Sequence, residues 1–371
     1  MANVYTINNT AELNSPSLLI FRELVEHNLA ELIRIAGEPQ RLRPHCKTHK
    51  TREIVQMQIA AGIKAHKCAT IAEAKMLAES GAKDVLIAYQ LVGPNPSRLA
   101  KLLDQFPDVR FGSLVDCPQA LKPLSEAICT QGTIDVYLDL NPGMNRTGIL
   151  PGPQAIELYE MIASMPGLEP GGLHWYDGQH RQADPEERRG CVLANWAGLT
   201  RFRNQLQMTG LPIPHVVAGG TGSFSILAEV GEPGIQLSPG TTSLYDTGYG
   251  TLFPDLDFKP ALGILTRVVS KTGGRRVTLD VGHKSCAADQ PQGERLTFPT
   301  VPDAKEIIHS EEHLVIETDL CDQLQIGDAL VALPRHVCPA SAVHPFAHIV
   351  VDGMATERWA IAARDREPLE F

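Results

Sequence analysis

Five short segments of this chain gather residue types that do chemistry: RPHCKTHK (Arg43–Lys50), NPGMNRTGI (Asn141–Ile149), HWYDGQH (His174–His180), AGGTGS (Ala218–Ser223) and PRHVCP (Pro334–Pro339). In the first, Lys47 lies in a basic stretch. Partly desolvated, its neutral amine attacks an aldehyde; left in water, the segment is a solvated basic loop. In AGGTGS, glycines let successive backbone amides turn towards one point, which suits a phosphate, although a plain tight turn uses the same residues. SPGTTSLYD (Ser238–Asp246) adds Gly240, Thr241 and Thr242. Arg146 offers a guanidinium that hydrogen-bonds a ring nitrogen without giving up a proton. The HWYDGQH run supplies two imidazoles, Tyr176 and Asp177, for acid–base work or for structure. His336 and Cys338 are one residue apart, so an extended segment turns both side chains the same way. Imidazole with thiolate suits zinc or a similar divalent ion, and two protein ligands leave positions open for water or substrate.

These segments need elements to position them. Short β-like runs alternate with helical spacing at Arg41–His45, Lys64–Cys68, Val85–Tyr89, Arg110–Val115, Asp135–Asn141, Gly171–Tyr176, Pro214–Ala218 and Gly234–Pro239. Ile71–Ser80 and Cys191–Met208 read as helices, with Asp116 and Asp184 as N-caps and Pro185 at a first helical position. About eight βα units in a row predict a closed parallel (β/α)8 barrel, with an open doubly wound sheet as the alternative. The expected barrel covers residues 17–250. It places four of the five segments at strand C-terminal ends, the face where barrels build their sites. Beyond Gly250 the runs Ile264–Val269, Arg276–Asp280, Leu314–Thr318, Ala329–Leu333 and His348–Val351 predict a mainly-β domain over 251–371, joined by residues 1–16 with their strand-like VYTI.

Composition narrows the partners. A net charge of -10 disfavours nucleic acid and anionic membrane surfaces. No apolar run approaches the roughly 20 residues that span a bilayer, and the N-terminus lacks signal-peptide features. A cytoplasmic location is expected. The eight cysteines include no CxxC pair, so most are expected to be buried thiols.

Taken in order, NSPSLLI (Asn14–Ile20), RPHCKTHK, DVLIAYQLVGP (Asp84–Pro94), NPGMNRTGI, GLHWYDGQH, AGGTGS, LDVGHKS (Leu279–Ser285), EEH (Glu311–His313), HVCP and WAIAAR (Trp359–Arg364) resemble the D-threonine aldolase and D-serine dehydratase family. These are pyridoxal 5'-phosphate (PLP) enzymes whose barrel is similar to that of alanine racemase. The resemblance implies that Lys47 holds PLP and that Gly219, Gly220, Thr221, Gly222 and Ser223 bind its phosphate. It places Arg146 near the pyridine nitrogen and makes His336 and Cys338 ligands of a divalent metal, Zn2+ or Mn2+; Tyr176, Gly240 and Thr241 are expected to complete the cofactor set. A homodimer follows by analogy.

The implied reaction is that of a lyase on a D-β-hydroxy-α-amino acid. If a base removes the hydroxyl proton, the Cα–Cβ bond breaks to glycine and an aldehyde. If a base removes the α-proton, the hydroxyl leaves, and an oxoacid and ammonia result. GQH (Gly178–His180), AGGTGS and WAIAAR resemble the aldolases, with His180 as the expected base although Asp177 stands where the aldolases carry histidine. The H-x-C pair resembles the dehydratases, and Thr242 departs from both. Retro-aldol cleavage is the expected reaction and D-serine or D-3-hydroxyaspartate dehydration the alternative. A PLP barrel without a metal domain is disfavoured by the 251–371 segment, and a metal-free racemase or decarboxylase by the lack of its second-domain motifs.

Overall fold

Strand β1 (Ser17–Phe21), the sequence SLLIF, is buried along its whole length. It runs antiparallel to β9 (Leu262–Gly273) and parallel to β15 (Phe346–Val351). Between β1 and β9 lie seven strands of a separate parallel sheet: β2 (Ala65–Cys68), β3 (Asp84–Gln90), β4 (Arg110–Val115), β5 (Ile134–Leu140), β6 (Leu168–Trp175), β7 (His215–Ala218) and β8 (Ile235–Leu237). The computed structural model describes residues 4–367, in two compact units. One comprises residues 32–47, 52–240 and 365–367; the other comprises 4–31, 48–51 and 241–364.

In the first unit the seven strands follow chain order and are joined by helices, as alternating β and amphipathic runs require. The eighth stave, expected as a strand over Arg41–His45, is reduced to bridges. Leu42 pairs with Leu237 of β8 and His45 with Lys67 of β2. Pro44 lacks an N–H, so a continuous ladder is blocked, yet both sheet edges are served. The N–H groups of Arg43 and His45 donate to Leu237 and Pro239, and those of Cys46 and Lys67 donate to Lys67 and Pro44. The sheet closes into a barrel.

Helix starts follow the sequence in part. Thr70 accepts from Glu73 N–H at the start of helix Ile71–Glu79, and Asp184 accepts from Glu186 and Glu187 N–H at the start of Pro185–Gln207. Asp116 does not cap a helix. Its carboxylate accepts instead from Gly148 N–H, 3.0 Å away, and holds down the loop after β5.

The second unit is a mixed sheet. Its main path runs β12 (Lys305–His309), β13 (Leu314–Glu317), β10 (Arg276–Leu279), β9, β1, β15 and β16 (Met354–Ala360). Strand β14 (Ala329–Pro334) pairs with β9 and carries β11 (Leu296–Thr297). Residues 17–21, expected to open the barrel, thus lie at the centre of this sheet, where Leu19 and Phe21 pack with Leu265, Val331, Leu333 and Val350. A run buried on both faces carries no alternation to betray its sheet. The VYTI segment is not a strand, but Tyr5 and Ile7 do pack on that core. Strands β12 and β16 also escaped the sequence reading, since KEIIH and MATERWA are charged and half exposed.

Candidate active site

The barrel floor is built first. Arg43 is 0% exposed and makes a two-pronged pair with Asp84, Nη1 to Oδ1 at 2.7 Å and Nη2 to Oδ2 at 2.8 Å. Its Nε–H donates to Gln236 Oε1 at 2.6 Å. Around it, Leu86, Leu114, Tyr137 and Val217 fill the barrel interior. Above this floor opens a cavity of about 480 Å³, lined among others by His45, Lys47, Lys67, Gln90, Asp116, Asp139, Arg146, His174 and Tyr176. It lies at the C-terminal ends of the strands, as the barrel argument requires.

Three cations share this cavity with one aromatic ring. Lys47 Nζ is 5.8 Å, Lys67 Nζ 6.0 Å and the Arg146 guanidinium carbon 4.8 Å from the Tyr176 ring centroid. None of the three side chains has a hydrogen bond or ion pair among the described residues. Arg146 is set at the rim because the loop folds back on β5. Ile149 N–H donates to Asp139 O, Asn141 N–H donates to Ile149 O, and the Asn141 side chain accepts from Gly143 and Asn145 N–H. Gly148 has φ +97°, and a Cβ there would lie 2.6 Å from the Leu140 carbonyl carbon, so only glycine closes this loop.

The carboxylates are already committed. Asp139 Oδ1 is 2.7 Å from His174 Nδ1. Burial holds His174 below its usual range despite the opposing pull of Asp139, so the ring is neutral at neutral pH. Lys67, fully buried on β2, is pushed down to about 7 by burial and then by Lys47 and Arg43, with Asp139 opposing.

The glycine-rich loop follows β7 as expected. Gly219 has φ +87°, and a Cβ there would lie 2.9 Å from Phe224 Cα, so the turn into helix Phe224–Val230 demands glycine. Gly220, Thr221, Gly222 and Ser223 are buried, and none is among the residues lining the cavity. Gly220 N–H donates to Asp177 Oδ1 and Ser223 Oγ, and the Ser223 hydroxyl donates to Asp177 at 2.6 Å. Two of the expected phosphate donors are therefore engaged by a carboxylate. Gly220 sits close to the Tyr176 ring, and a Cβ on Gly240 would approach Lys47 Cε to 3.8 Å. His180 is buried outside the cavity lining; its N–H donates to Asp177 O, and its Nε2 has no partner among the described residues. The imidazoles that do line the cavity are His45 and His174.

In the β-rich unit, His336 and Cys338 do not lie on one strand. His336 is the extended residue before the short helix Val337–Ala342, and Cys338 lies in its first turn. The two side chains still interact. Hydrogen bonding to Cys338, followed by Asp289, raises His336 to about 9. His336 Nδ1 contacts the Asp289 carboxylate, leaving Nε2 for a ligand. Cys338 Sγ lies 3.2 Å from Thr48 Oγ1 and 4.0 Å from Thr241 Oγ1. Asp246 holds the turn by accepting from Val337 N–H at 3.1 Å. His344 is engaged elsewhere, 2.7 Å from Ser285 O. A buried trio in the barrel unit, His45, Cys46 and Glu73, also has metal-type atoms within 4.8 Å. Glu73 there accepts from Ala69 N–H at 2.6 Å, an ordinary staple for a buried carboxylate.

Lys67, Asp139, Asp246 and Asp289 escaped the sequence reading. The signal for Lys67 was present: a lysine inside AHKCA, in a run otherwise suited to a buried strand.

Comparisons with known proteins agree with this fold. The family model described as alanine racemase, N-terminal domain, matches residues 20–238, and that described as putative serine dehydratase domain matches residues 261–350. A D-threonine aldolase of Arthrobacter sp is 30% identical over 95% of this chain and 93% of its own length. A 3-hydroxy-D-aspartate aldolase of Paracoccus denitrificans is 27% identical over 96% and 93%. The crystal structure of D-threonine aldolase from Filomicrobium marinum superposes with a TM-score of 0.88 at 30% identity, covering 95% of this chain and 96% of that one. The chain belongs to the alanine-racemase-like family of PLP-dependent enzymes that includes the D-threonine aldolases and D-serine dehydratases.

Proposed function

We propose that this protein is a PLP- and divalent-metal-dependent lyase that cleaves D-β-hydroxy-α-amino acids to glycine and an aldehyde. The observation that carries the reading is the cavity in which Lys47, Lys67 and Arg146 stand without anionic partners around Tyr176. Cations without ion-pair partners around one cavity suit a ligand with several negative groups. PLP, when bound, supplies an aldehyde for an amine and an electron sink for the bond broken at Cα. A divalent ion, Zn2+ or Mn2+, supplies a Lewis acid for the β-hydroxyl.

The chain's own residues do the rest. Lys47 offers the amine that holds the cofactor and yields it to the substrate. The amides of Thr221 and Gly222, with Gly219, Gly240 and Thr241, cradle the phosphate, while Gly220 and Ser223 join them once Asp177 releases their donors. Arg146, laid over Tyr176, holds the ring side. His336 and Cys338 hold the metal, with Asp289 fixing the imidazole. His180 accepts the hydroxyl proton through its unpartnered Nε2. His174, neutral and anchored by Asp139, is the other imidazole suited to accept a proton. We infer further that the barrel unit and the β-rich unit act as cofactor and metal domains, and that the enzyme is a cytoplasmic homodimer. No helix among the described residues is long and apolar enough to cross a membrane.

The test is a product assay with PLP and either Zn2+ or Mn2+, offering D-threonine, D-serine and D-3-hydroxyaspartate separately. Glycine plus an aldehyde supports the proposal. Oxoacid plus ammonia replaces it with dehydration, and no turnover of any of the three overturns it. His180→Asn and His174→Asn then identify the base: the essential one loses kcat while cofactor binding persists.

A further inference from the structure

Of the three cations in the cavity, Lys67 is the one that the proposed reaction leaves without a task. It sits on β2 in register with Leu86, so its side chain shares the face that fills the barrel interior. It is 3% exposed, whereas Arg146 is exposed at the rim. Its amine has no hydrogen bond or ion pair among the described residues, and Asp139, the carboxylate that acts on it electrostatically, is held by His174. Its charged surroundings are Lys47, Arg43, Arg146 and Asp139; Arg43 is neutralised by Asp84. An unpaired buried amine is costly to keep. Nothing in the barrel's own packing requires one, because Leu86, Leu114, Tyr137 and Val217 already fill the floor.

The position of Lys67 limits what it meets. The glycine-rich loop follows β7, and β8 and the closing segment 42–46 intervene before β2. No residue of that loop lines the cavity around Lys67. The phosphate therefore goes to a different sector of the barrel. Depth argues likewise against the incoming amino acid, which approaches from the open side where Arg146 stands. What is left for a cation at the floor is the anionic oxygen on the cofactor ring.

We propose that Lys67 is a cofactor-binding residue whose ammonium pairs with the ring phenolate of PLP, and that the protein tolerates it unpaired in the barrel for this purpose. The inference rests on the cofactor reading above. It predicts opposite signs for stability and binding. Lys67→Met, nearly isosteric and apolar beside Leu86, should stabilise the cofactor-free barrel while weakening its hold on the ring. A lysine kept for packing alone would give a loss of stability and unchanged binding.

The experiment uses the full-length chain freed of cofactor and two probes: 4'-deoxypyridoxine 5'-phosphate and its 3-O-methyl ether. Neither has an aldehyde, so Lys47 contributes no covalent bond. The wild-type protein should bind the methyl ether about tenfold to a hundredfold more weakly than the parent, as befits loss of a charged hydrogen bond. Lys67→Met and Lys67→Gln should lose a similar factor for the parent and bind the two probes alike. Equal affinity of the wild-type protein for both probes overturns the inference without any variant. Equal losses for both probes in Lys67→Met also overturn it. If the wild-type protein binds neither probe, the cofactor reading itself falls.

Discussion

Asp84→Ala tests whether the charged floor of the barrel holds the fold together. Arg43 is 0% exposed, while the Asp84 side chain retains 28% of its exposure. The variant leaves a buried guanidinium with Gln236 Oε1 and the His66 carbonyl as partners, but with no counter-charge. Removing one partner of a buried pair costs about 3–5 kcal/mol. Water reaches the Asp84 side, so the lower end applies, about 3 kcal/mol. With an m-value of about 2 kcal/mol/M in urea, the midpoint should fall by about 1.5 M. Arg43→Met should cost less, about 1–3 kcal/mol, because Asp84 can be hydrated and the groups that lose a donor, the Gln236 oxygen and the His66 carbonyl, are uncharged. The assay is urea unfolding of both variants followed by far-UV circular dichroism, with m required to stay constant. A midpoint shift below about 0.3 M for Asp84→Ala would refute the reasoning, as would an Arg43→Met variant less stable than Asp84→Ala. Either result would mean that solvent or relaxation at the floor screens Arg43 far better than its burial implies.

Lys47→Ala should abolish covalent trapping of PLP by borohydride; label recovered on another lysine would sink the assignment. Chelation should remove turnover while PLP stays bound, and undiminished turnover in excess chelator would exclude the metal role of His336 and Cys338. Asp289→Asn, which weakens the grip on His336 Nδ1, should lower metal affinity about tenfold to a hundredfold in a competition titration. His66 is buried with neither ring nitrogen partnered among the described residues, and burial, then Arg43, pushes it down to about 4. Its folded pKa is depressed, so the unfolded chain binds the proton more readily, and stability is present above pH 6.5 and lost as pH falls towards 4. The loss should amount to about 3 kcal/mol between pH 7 and pH 4. His66→Leu should flatten that part of the profile, and urea midpoints at the two pH values check it.

Much of the barrel was legible because its signals are local. Strands β2 to β8 announce themselves as short apolar runs between helical stretches, and Asp184 and Pro185 cap their helix wherever it lies. The glycines of AGGTGS and the lysine of RPHCKTHK carry their chemistry in type and spacing, so their places after β7 and beside β2 could be expected from strand order. What local pattern leaves out is the identity of a partner distant in sequence. SLLIF reads the same whether it opens a barrel or sits between β9 and β15. Register with residues more than two hundred positions away decided that. The segment Arg43–Cys46 closes the barrel through bridges to Leu237 and Lys67, and no periodicity in its own sequence shows this.

The same division runs through the site. Sequence alone nominated Lys47, Arg146 and the His336–Cys338 pair, because each is a reactive type in a telling setting. Only the tertiary structure showed that Asp177 already holds Gly220 and Ser223, that His174 rather than His180 lines the cavity, and that Lys67 stands beside Lys47 with no anion of its own. The physical reason is that charge is read by its neighbours. Burial and the sum of nearby cations set what Lys67 does, and those neighbours come from two stretches of chain, residues 43–47 and 139–146, brought together by folding.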